Sequence, residues 1–313
     1  EKSFFSQNQM TLGASYRQDY ESVMDWAISP QNAYINAFLI GLSTKNYFKV
    51  EETIGYISFS KGNTASVRVE YFDENFNSIK KYTNWSLFNY RSKKDDNPPL
   101  APMDRGKLAG MRYIIEGFNH TSFMNSRFIV EMEKTYGKRE DVIGEYTRLF
   151  GNTMFSWRLA ADNILKLRMA GGYSKDFLPA PKSFRLGGLN TLRGYDFESI
   201  PTGYPFEFLY GGNRMALCNI DYYFGGGDDM SFVIFADAGN VWLKGYDVNF
   251  KDMKRDIGLG LTFGSDFSSI DNYIHLRRGE KGQAANGLCI NWAVPVGNVP
   301  HVSHWTVNFA RGF

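Results

Sequence analysis

Apolar and polar side chains alternate at every second position along most of this chain, in short segments broken by Gly, Asn, Asp and Pro. A period of two is that of an extended strand whose two faces meet different surroundings. The alternation predicts fourteen strand candidates near residues 9–17, 33–43, 46–59, 64–72, 82–91, 106–117, 123–134, 143–157, 163–173, 213–223, 230–237, 255–263, 286–294 and 304–312, with a hairpin conceivable inside 143–157 at Gly151-Asn152. Polar breaks at Lys61–Asn63, Asp73–Asn75, Phe118–His120, Ser174–Asp176 and Gly225–Asp229 supply turn chemistry between them. No helical pattern of about twelve residues occurs in the second half, which argues against a βαβ sheet.

The last segment shows what the faces carry. Trp305, Val307, Phe309 and Phe313 share one face, and Thr306, Asn308, Ala310 and Gly312 share the other. An edge strand of a soluble sandwich would alternate in the same way; ending on an aromatic residue favours a membrane strand. The interval 174–212 differs in texture. It holds Pro179, Pro181, Pro201 and Pro205 together with Phe184, Leu186, Leu189, Leu192 and Tyr195. A solvent-exposed loop would gain little from those side chains, whereas a loop folded into a barrel lumen could bury them.

Composition changes the picture by pairing many aromatics with low mean hydropathy. Phe, Tyr and Trp number 26, 19 and 6, or 16% of 313 residues, yet mean hydropathy is −0.36 and 22% of residues are charged. That combination is unusual for a soluble enzyme and expected where alternate residues face lipid. Apolar runs such as Phe232–Ala236 and Trp292–Val296 are far shorter than the roughly 18 residues of a helical span, so a closed barrel is the remaining way to cross a bilayer. The formal charge of +2, with both signs interspersed, suggests no nucleic-acid partner. Cys218 and Cys289 make neither a disulfide framework nor a metal-ligand spacing. The N-terminus, Glu1-Lys-Ser-Phe-Phe, is neither a signal peptide nor an initiator methionine, and a processed or trimmed chain is expected.

The stretch Ser183-Phe-Arg-Leu-Gly-Gly-Leu-Asn-Thr-Leu-Arg-Gly-Tyr195 resembles the segment leading to the Arg-Gly-aromatic tip of the sixth extracellular loop in the BamA and two-partner-secretion transporter superfamily, which includes the bacterial surface antigen type. Gly211-Gly-Asn213 and Phe235-Ala-Asp-Ala-Gly-Asn-Val-Trp242 follow in the family's order, then Gly258-Leu-Gly260 and a terminal aromatic. The resemblance covers roughly residues 183–313, and three landmarks in order are far more specific than Arg-Gly-Tyr alone. It implies an all-β transmembrane antiparallel barrel of 16 strands in the bacterial outer membrane, with the sixth loop folded inside and five strands after it. The periodicity marks five strands after Tyr195 and nine before the loop, where eleven are implied. Two short strands would have to lie within 18–80 or 143–157, or the barrel is smaller, with 14. The whole of 1–313 is expected to be barrel, with 174–212 as the lumen loop; no periplasmic POTRA module is seen.

Arg193 carries the sharpest chemical expectation. Its guanidinium offers five donors in a rigid fork, and a carboxylate on a strand would turn loop insertion into a directed contact. Asp237 is the first choice, because it shares a face with Phe235 and Gly239 while Phe232, Ile234 and Ala236 share the opposite one. The resemblance assigns the same two motifs to one contact. Asn219 and Asp221, on one face of the preceding strand, are secondary candidates for lumen contacts. Tyr195 completes the tip, and Gly194 and Gly239 would allow a tight tip and a close approach of loop to wall. On the plainer reading Arg193 solvates a turn and Asp237 caps a hairpin.

No Gly-x-Ser-x-Gly elbow, His-Glu-x-x-His or phosphate loop occurs, so no catalytic residue, cofactor or metal is assigned. His120, His275, His301 and His304 are scattered, and Asp95-Asp96 and Asp228-Asp229 read as solvated turns. The expected partners are outer-membrane lipids and lipopolysaccharide, together with a polypeptide substrate or upstream periplasmic domains. The function expected is outer-membrane protein assembly or polypeptide translocation. The alternative is a membrane anchor for an upstream domain such as a patatin-like phospholipase, and a passive pore or surface protein is a third reading. Trp305, Val307, Phe309 and Phe313 are expected to form the C-terminal signal by which the barrel is recognised, with Arg311 interrupting its apolar face.

Overall fold

A computed structural model describes residues 8–28, 30–40, 45–62, 64–80, 86–88, 106–136, 144–160, 162–200, 211–225, 230–264, 287–297 and 303–308. They form one antiparallel sheet of twelve strands in which spatial order is sequence order. The strands are β1 (Asn8–Glu21), β2 (Phe48–Lys61), β3 (Ala65–Ser78), β4 (Gly106–His120), β5 (Met124–Thr135), β6 (Thr147–Ala160), β7 (Asn163–Ser174), β8 (Arg214–Phe224), β9 (Met230–Trp242), β10 (Lys254–Gly264), β11 (Gly287–Val296) and β12 (His304–Asn308). Helix α1 (Pro30–Ile40) lies between β1 and β2. Among the described residues β1 and β12 each pair on one side only.

The tight turns follow from local chemistry. Gly62 and Gly225 adopt positive φ, 53° and 65°, in the β2–β3 and β8–β9 connections. Between β4 and β5 the Thr121 hydroxyl accepts the Met124 N–H at 3.0 Å. The β1–β2, β3–β4 and β7–β8 connections leave from the opposite end of the sheet.

The two faces of the sheet invert the soluble pattern. Glu52, Glu70, Glu74, Arg112, Glu131, Glu133, Arg168, Asn219, Asp221, Asp237 and Asp256 are buried on one face. The other face exposes Tyr113, Ile115, Val130, Met132, Ile220, Phe232, Ile234, Ile257, Leu259 and Trp292. Water outside would penalise that arrangement; hydrocarbon outside favours it, because apolar side chains there lose nothing and the charges are sheltered among partners. No described helix is long and apolar enough to cross a membrane.

What shelters the charges is chain. Met24, Trp26, Ala27 and Ile28, before α1, pack with Phe150, Phe184, Leu186, Leu189 and Leu192 in one buried cluster. Trp26 meets Phe150 edge-on, with ring centroids 5.5 Å apart.

The candidate strand at 33–43 is corrected to α1. Pro30 at its first position is pre-set for a helix and needs no N–H there. Asn32, Ala33 and Asn36 are buried while Tyr34 and Phe38 are exposed, a spacing of three and four that a short apolar run conceals. The candidate at 82–91 lies largely outside the described residues. Within it, the Leu87 and Phe88 N–H groups donate to the Phe38 and Leu39 carbonyls at 2.8 and 2.9 Å, so this piece is fastened to the end of α1 and not to the sheet. β6 runs unbroken through Gly151 and Asn152, which removes the suspected hairpin. Among the described residues seven strands therefore end by residue 174 and five follow residue 212.

Cys218 on β8 and Cys289 on β11 are both free. Three strand intervals separate them, on the order of 14 Å, twice the reach of a disulfide between Cα atoms. Alkylation of denatured protein without reductant should modify both thiols; a mass showing neither modified would contradict the strand order.

Candidate functional site

The segment after β7 is closed at its base and tightened at its tip. The Phe184 and Gly212 backbones exchange hydrogen bonds of 2.9 and 2.8 Å, joining the two limbs. Gly187 and Gly188 then take positive φ, 119° and 84°, and a Cβ at Gly187 would stand 2.4 Å from the Asp196 carbonyl oxygen. Only glycine fits there. The Thr191 hydroxyl accepts the Gly187 N–H and donates to the Gly188 carbonyl, both at 3.1 Å. These contacts make a compact turn that presents Arg193 on its far side.

Arg193 is 2% exposed and is held by two strands. Its Nε donates to Asp237 Oδ2 at 2.8 Å and its Nη2 to Asp237 Oδ1 at 2.6 Å, a two-pronged contact that its own backbone N–H extends at 3.1 Å to Oδ2. Nη2 and Nη1 also reach Asp221 Oδ1 and Oδ2 at 2.6 and 3.3 Å. Asn219 Nδ2 donates to Asp237 Oδ1 at 2.8 Å and to the Thr191 carbonyl at 2.6 Å, and the Tyr223 hydroxyl donates to Asp221 Oδ2 at 3.0 Å. The guanidinium stacks 3.5 Å over the Phe235 ring. Two carboxylates on adjacent strands, one fork and one aromatic platform make a socket specific for arginine: lysine offers neither the plane nor the second prong.

The glycines govern how closely loop and wall approach. A Cβ on Gly194 would lie 2.6 Å from Asp256 Cβ and 3.2 Å from the Pro295 nitrogen. A Cβ on Gly239 would lie 2.9 Å from the Ala216 carbonyl oxygen and 3.1 Å from Leu186 Cδ1, so the loop's own leucine rests on this glycine. Tyr195 is partly buried, and its hydroxyl donates to the Arg255 carbonyl at 3.2 Å.

The structure thus brings Arg193, Gly194, Tyr195, Asp237, Gly239, Asn219 and Asp221 into one place. It adds residues the sequence did not single out. Asp256 on β10 stands directly across from Asp237 and is 1% exposed, a third carboxylate beside the tip. Its alternation with Gly258 on the charged face was the available signal. Arg168 on β7 is wholly buried: Nε donates to Asn152 Oδ1 at 3.0 Å, Nη1 to the Asn190 carbonyl at 2.9 Å and Nη2 to the Trp26 carbonyl at 3.2 Å. Nothing in the spacing of Trp26, Asn152, Arg168 and Asn190 announces that meeting.

The C-terminal candidates are only partly placed. Trp305 stands across from Trp292 and is 69% exposed, and Val307 lies across from Ile290. Phe309 and Phe313 lie outside the described residues. His304 Nδ1 comes within 3.6 Å of an Asp196 carboxylate oxygen, a neighbour that its surroundings in sequence do not offer. Among the described residues no group of His, Cys, Asp and Glu is arranged to hold a metal.

A twelve-stranded antiparallel sheet with an apolar outer face, a charged sheltered face and a loop seated on it by an arginine socket is the wall of an outer-membrane β-barrel. The family model described as the Omp85 superfamily domain matches residues 126–299, more than half of the chain, and the chain belongs to that superfamily of outer-membrane barrels. Among solved structures it resembles BamA from Haemophilus ducreyi lacking POTRA domains 1–3, with a TM-score of 0.57 at 13% identity over 98% of this chain and 60% of that one. CdiB from Acinetobacter baumannii gives 0.52 at 12% identity over 96% and 46%, and CdiB from Escherichia coli 0.50 at 10% over 97% and 50%. The chain thus spans between about half and three fifths of the length of these proteins, and at such identities the likeness is one of fold. No curated protein matches.

Proposed function

We propose that this chain is the membrane barrel of a device that inserts or translocates polypeptides at the outer membrane, and that segment 174–212 is a lumen loop docked through Arg193. The observation that carries the reading is the Arg193 socket, in which one guanidinium bridges Asp221 on β8 and Asp237 on β9. A surface turn needs no such socket. A loop that must hold one position inside a wide barrel does, because its apolar contacts are tolerant of sliding and a two-pronged ion pair is not. Membership of the Omp85 superfamily supports polypeptide as the substrate class.

The edges of β1 and β12 must be satisfied in hydrocarbon, since unpaired backbone groups there cost several kcal/mol each. With the twelve strands of the described residues these edges run antiparallel, so direct closure is allowed; so is the insertion of four more strands to reach the 16 that the resemblance implies. Either way the junction beside β1 is where an incoming strand could be accommodated.

The test is crosslinking in living cells with a photoreactive amino acid at Tyr16 on β1 or Trp305 on β12. Adducts with polypeptides in transit should appear and should vanish within minutes of blocking protein synthesis. Adducts that persist unchanged through the block would mark a fixed partner and sink the transport reading in favour of an anchor for another domain.

A further inference from the structure

Loop 174–212 carries a second buried cation, and it points to the opposite part of the sheet. Lys182 ends a short 3-10 turn, Ala180–Lys182, which Pro179 precedes and which contains Pro181. Its Nζ lies 2.6 Å from Glu74 Oε2 on β3 and 3.5 Å from Glu133 Oε2 on β5. Lys182 is 6% exposed, and both glutamates are fully buried. The ammonium also lies 5.2 Å from the Phe76 ring centre, so its approach is lined by an aromatic face.

The charge count on this wall explains why the loop must supply a cation. Glu52 is paired with Arg17 and Glu70 with Arg68, while Glu74 and Glu133 share Arg112 on β4. Arg112 is spread thinner still, because its Nη1 also reaches Glu70 at 3.0 Å and Glu52 at 3.4 Å. These three arginines face four buried carboxylates, and Arg17 also holds the partly exposed Glu21, so negative charge outnumbers positive on this wall. A buried carboxylate without a partner is strongly unfavourable, and Lys182 supplies the missing charge from outside the sheet. The Tyr146 hydroxyl, donating to Glu133 Oε1, fixes the second glutamate for that contact.

Between the two cations the loop crosses β6 and β7. The Phe184 ring packs 6.4 Å from that of Phe150 on β6, and Arg148 lies 4.7 Å from the Phe184 ring centre. The loop is therefore fastened at Lys182 to β3–β5 and at Arg193 to β8–β9, with aromatic packing in between. We propose that Lys182 is a second latch, independent of Arg193, so that the loop acts as a brace across the interior, pinned at both ends. This rests on the reading that the loop is a functional element of the barrel interior. Its consequence for mechanism is that undocking the tip leaves the first limb seated and the β3–β5 wall neutralised. Release of the whole loop requires both latches to open.

The experiment is hydrogen exchange, resolved to peptides, on folded barrels in lipid nanodiscs. Lys182→Met should raise exchange in 178–186 by about tenfold and leave 188–196 within about twofold of the parent, and Arg193→Ala should do the reverse. Lys182→Arg should restore protection of the first limb, which a merely space-filling role for Lys182 would not require. If Lys182→Met does not fold because Glu74 is left with only the Arg112 that it shares with Glu133, the double variant Lys182→Met/Glu74→Gln removes both charges and should fold with the first limb still loosened. Unchanged protection of 178–186 in whichever variant folds, or equal loosening of both limbs, overturns the second latch. Neither result bears on whether polypeptides pass through the barrel, which the crosslinking chase decides separately.

Discussion

Replacing Arg193 by alanine should release the loop tip at a cost of about 3–5 kcal/mol of docking free energy, because two buried carboxylates lose their common partner at once. Asp221 and Asp237 are both buried and lie on neighbouring strands, where without the guanidinium they would repel each other across the socket. Asp237→Ala should cost less than Arg193→Ala, since the fork keeps Asp221, with contacts of 2.6 and 3.3 Å. Combining Arg193→Ala with Asp237→Ala should then cost clearly less than the sum of the two, with a coupling of about 0.5–3 kcal/mol. Protease accessibility of residues 188–196 in folded barrels gives the cycle. If docking instead rests on Phe184, Leu189 and Tyr195, the charge changes will add strictly or do nothing, and the socket will be incidental. Arg193→Lys tests the geometry as distinct from the charge: one ammonium cannot span both carboxylates in the fork's plane, so it should recover only a minor part of the loss.

Arg168→Met should loosen two separate segments together. The guanidinium joins the wall, through Asn152, to the Trp26 carbonyl of the segment before α1 and to the Asn190 carbonyl of the loop. Methionine keeps much of the volume but donates nothing, so three buried acceptors lose a charged donor at about 1–3 kcal/mol each. The Asn190 side chain binds the Ala27 carbonyl at 3.0 Å, which couples the segments further. Exchange or proteolysis should therefore rise in 22–28 and in 188–192 in parallel. By contrast, Arg193→Ala should raise it chiefly at the loop tip. Loosening confined to one segment would show that Arg168 is packed between them without joining them.

The contrast between these two arginines shows how far the site was legible in sequence. Arg193 stands out because it sits beside glycine and an aromatic at the tip of a long apolar loop, and Asp237 because alternation puts it opposite Phe232, Ile234 and Ala236. Asp221 was visible by the same rule of faces. Arg168 obeys that rule too, but beyond the Asn152 side chain its partners are backbone carbonyls at Trp26 and Asn190, and a carbonyl has no letter in a sequence. Lys182 and Glu74 are more than a hundred positions apart, and their pairing depends on which strands the loop crosses.

By itself the sequence determined the chain's strand-rich class, its alternation and the five strands after the loop, because a period of two follows from backbone geometry alone. It also indicated that Phe184, Leu186, Leu189 and Leu192 had to be covered, since such side chains are too apolar for an exposed loop. Only the tertiary structure decided that Pro30–Ile40 is a helix: a short apolar run serves a strand or a helix equally, and its buried asparagines became intelligible once Asn36 Nδ2 was seen to donate to the Asn32 carbonyl at 2.9 Å and to the Val307 carbonyl at 3.2 Å. It also decided that the sheet's charged face is filled by two segments, 22–28 and 174–200, since which distant side chains meet there is set by the order of the strands and the span of the loop, and neither is written in local pattern.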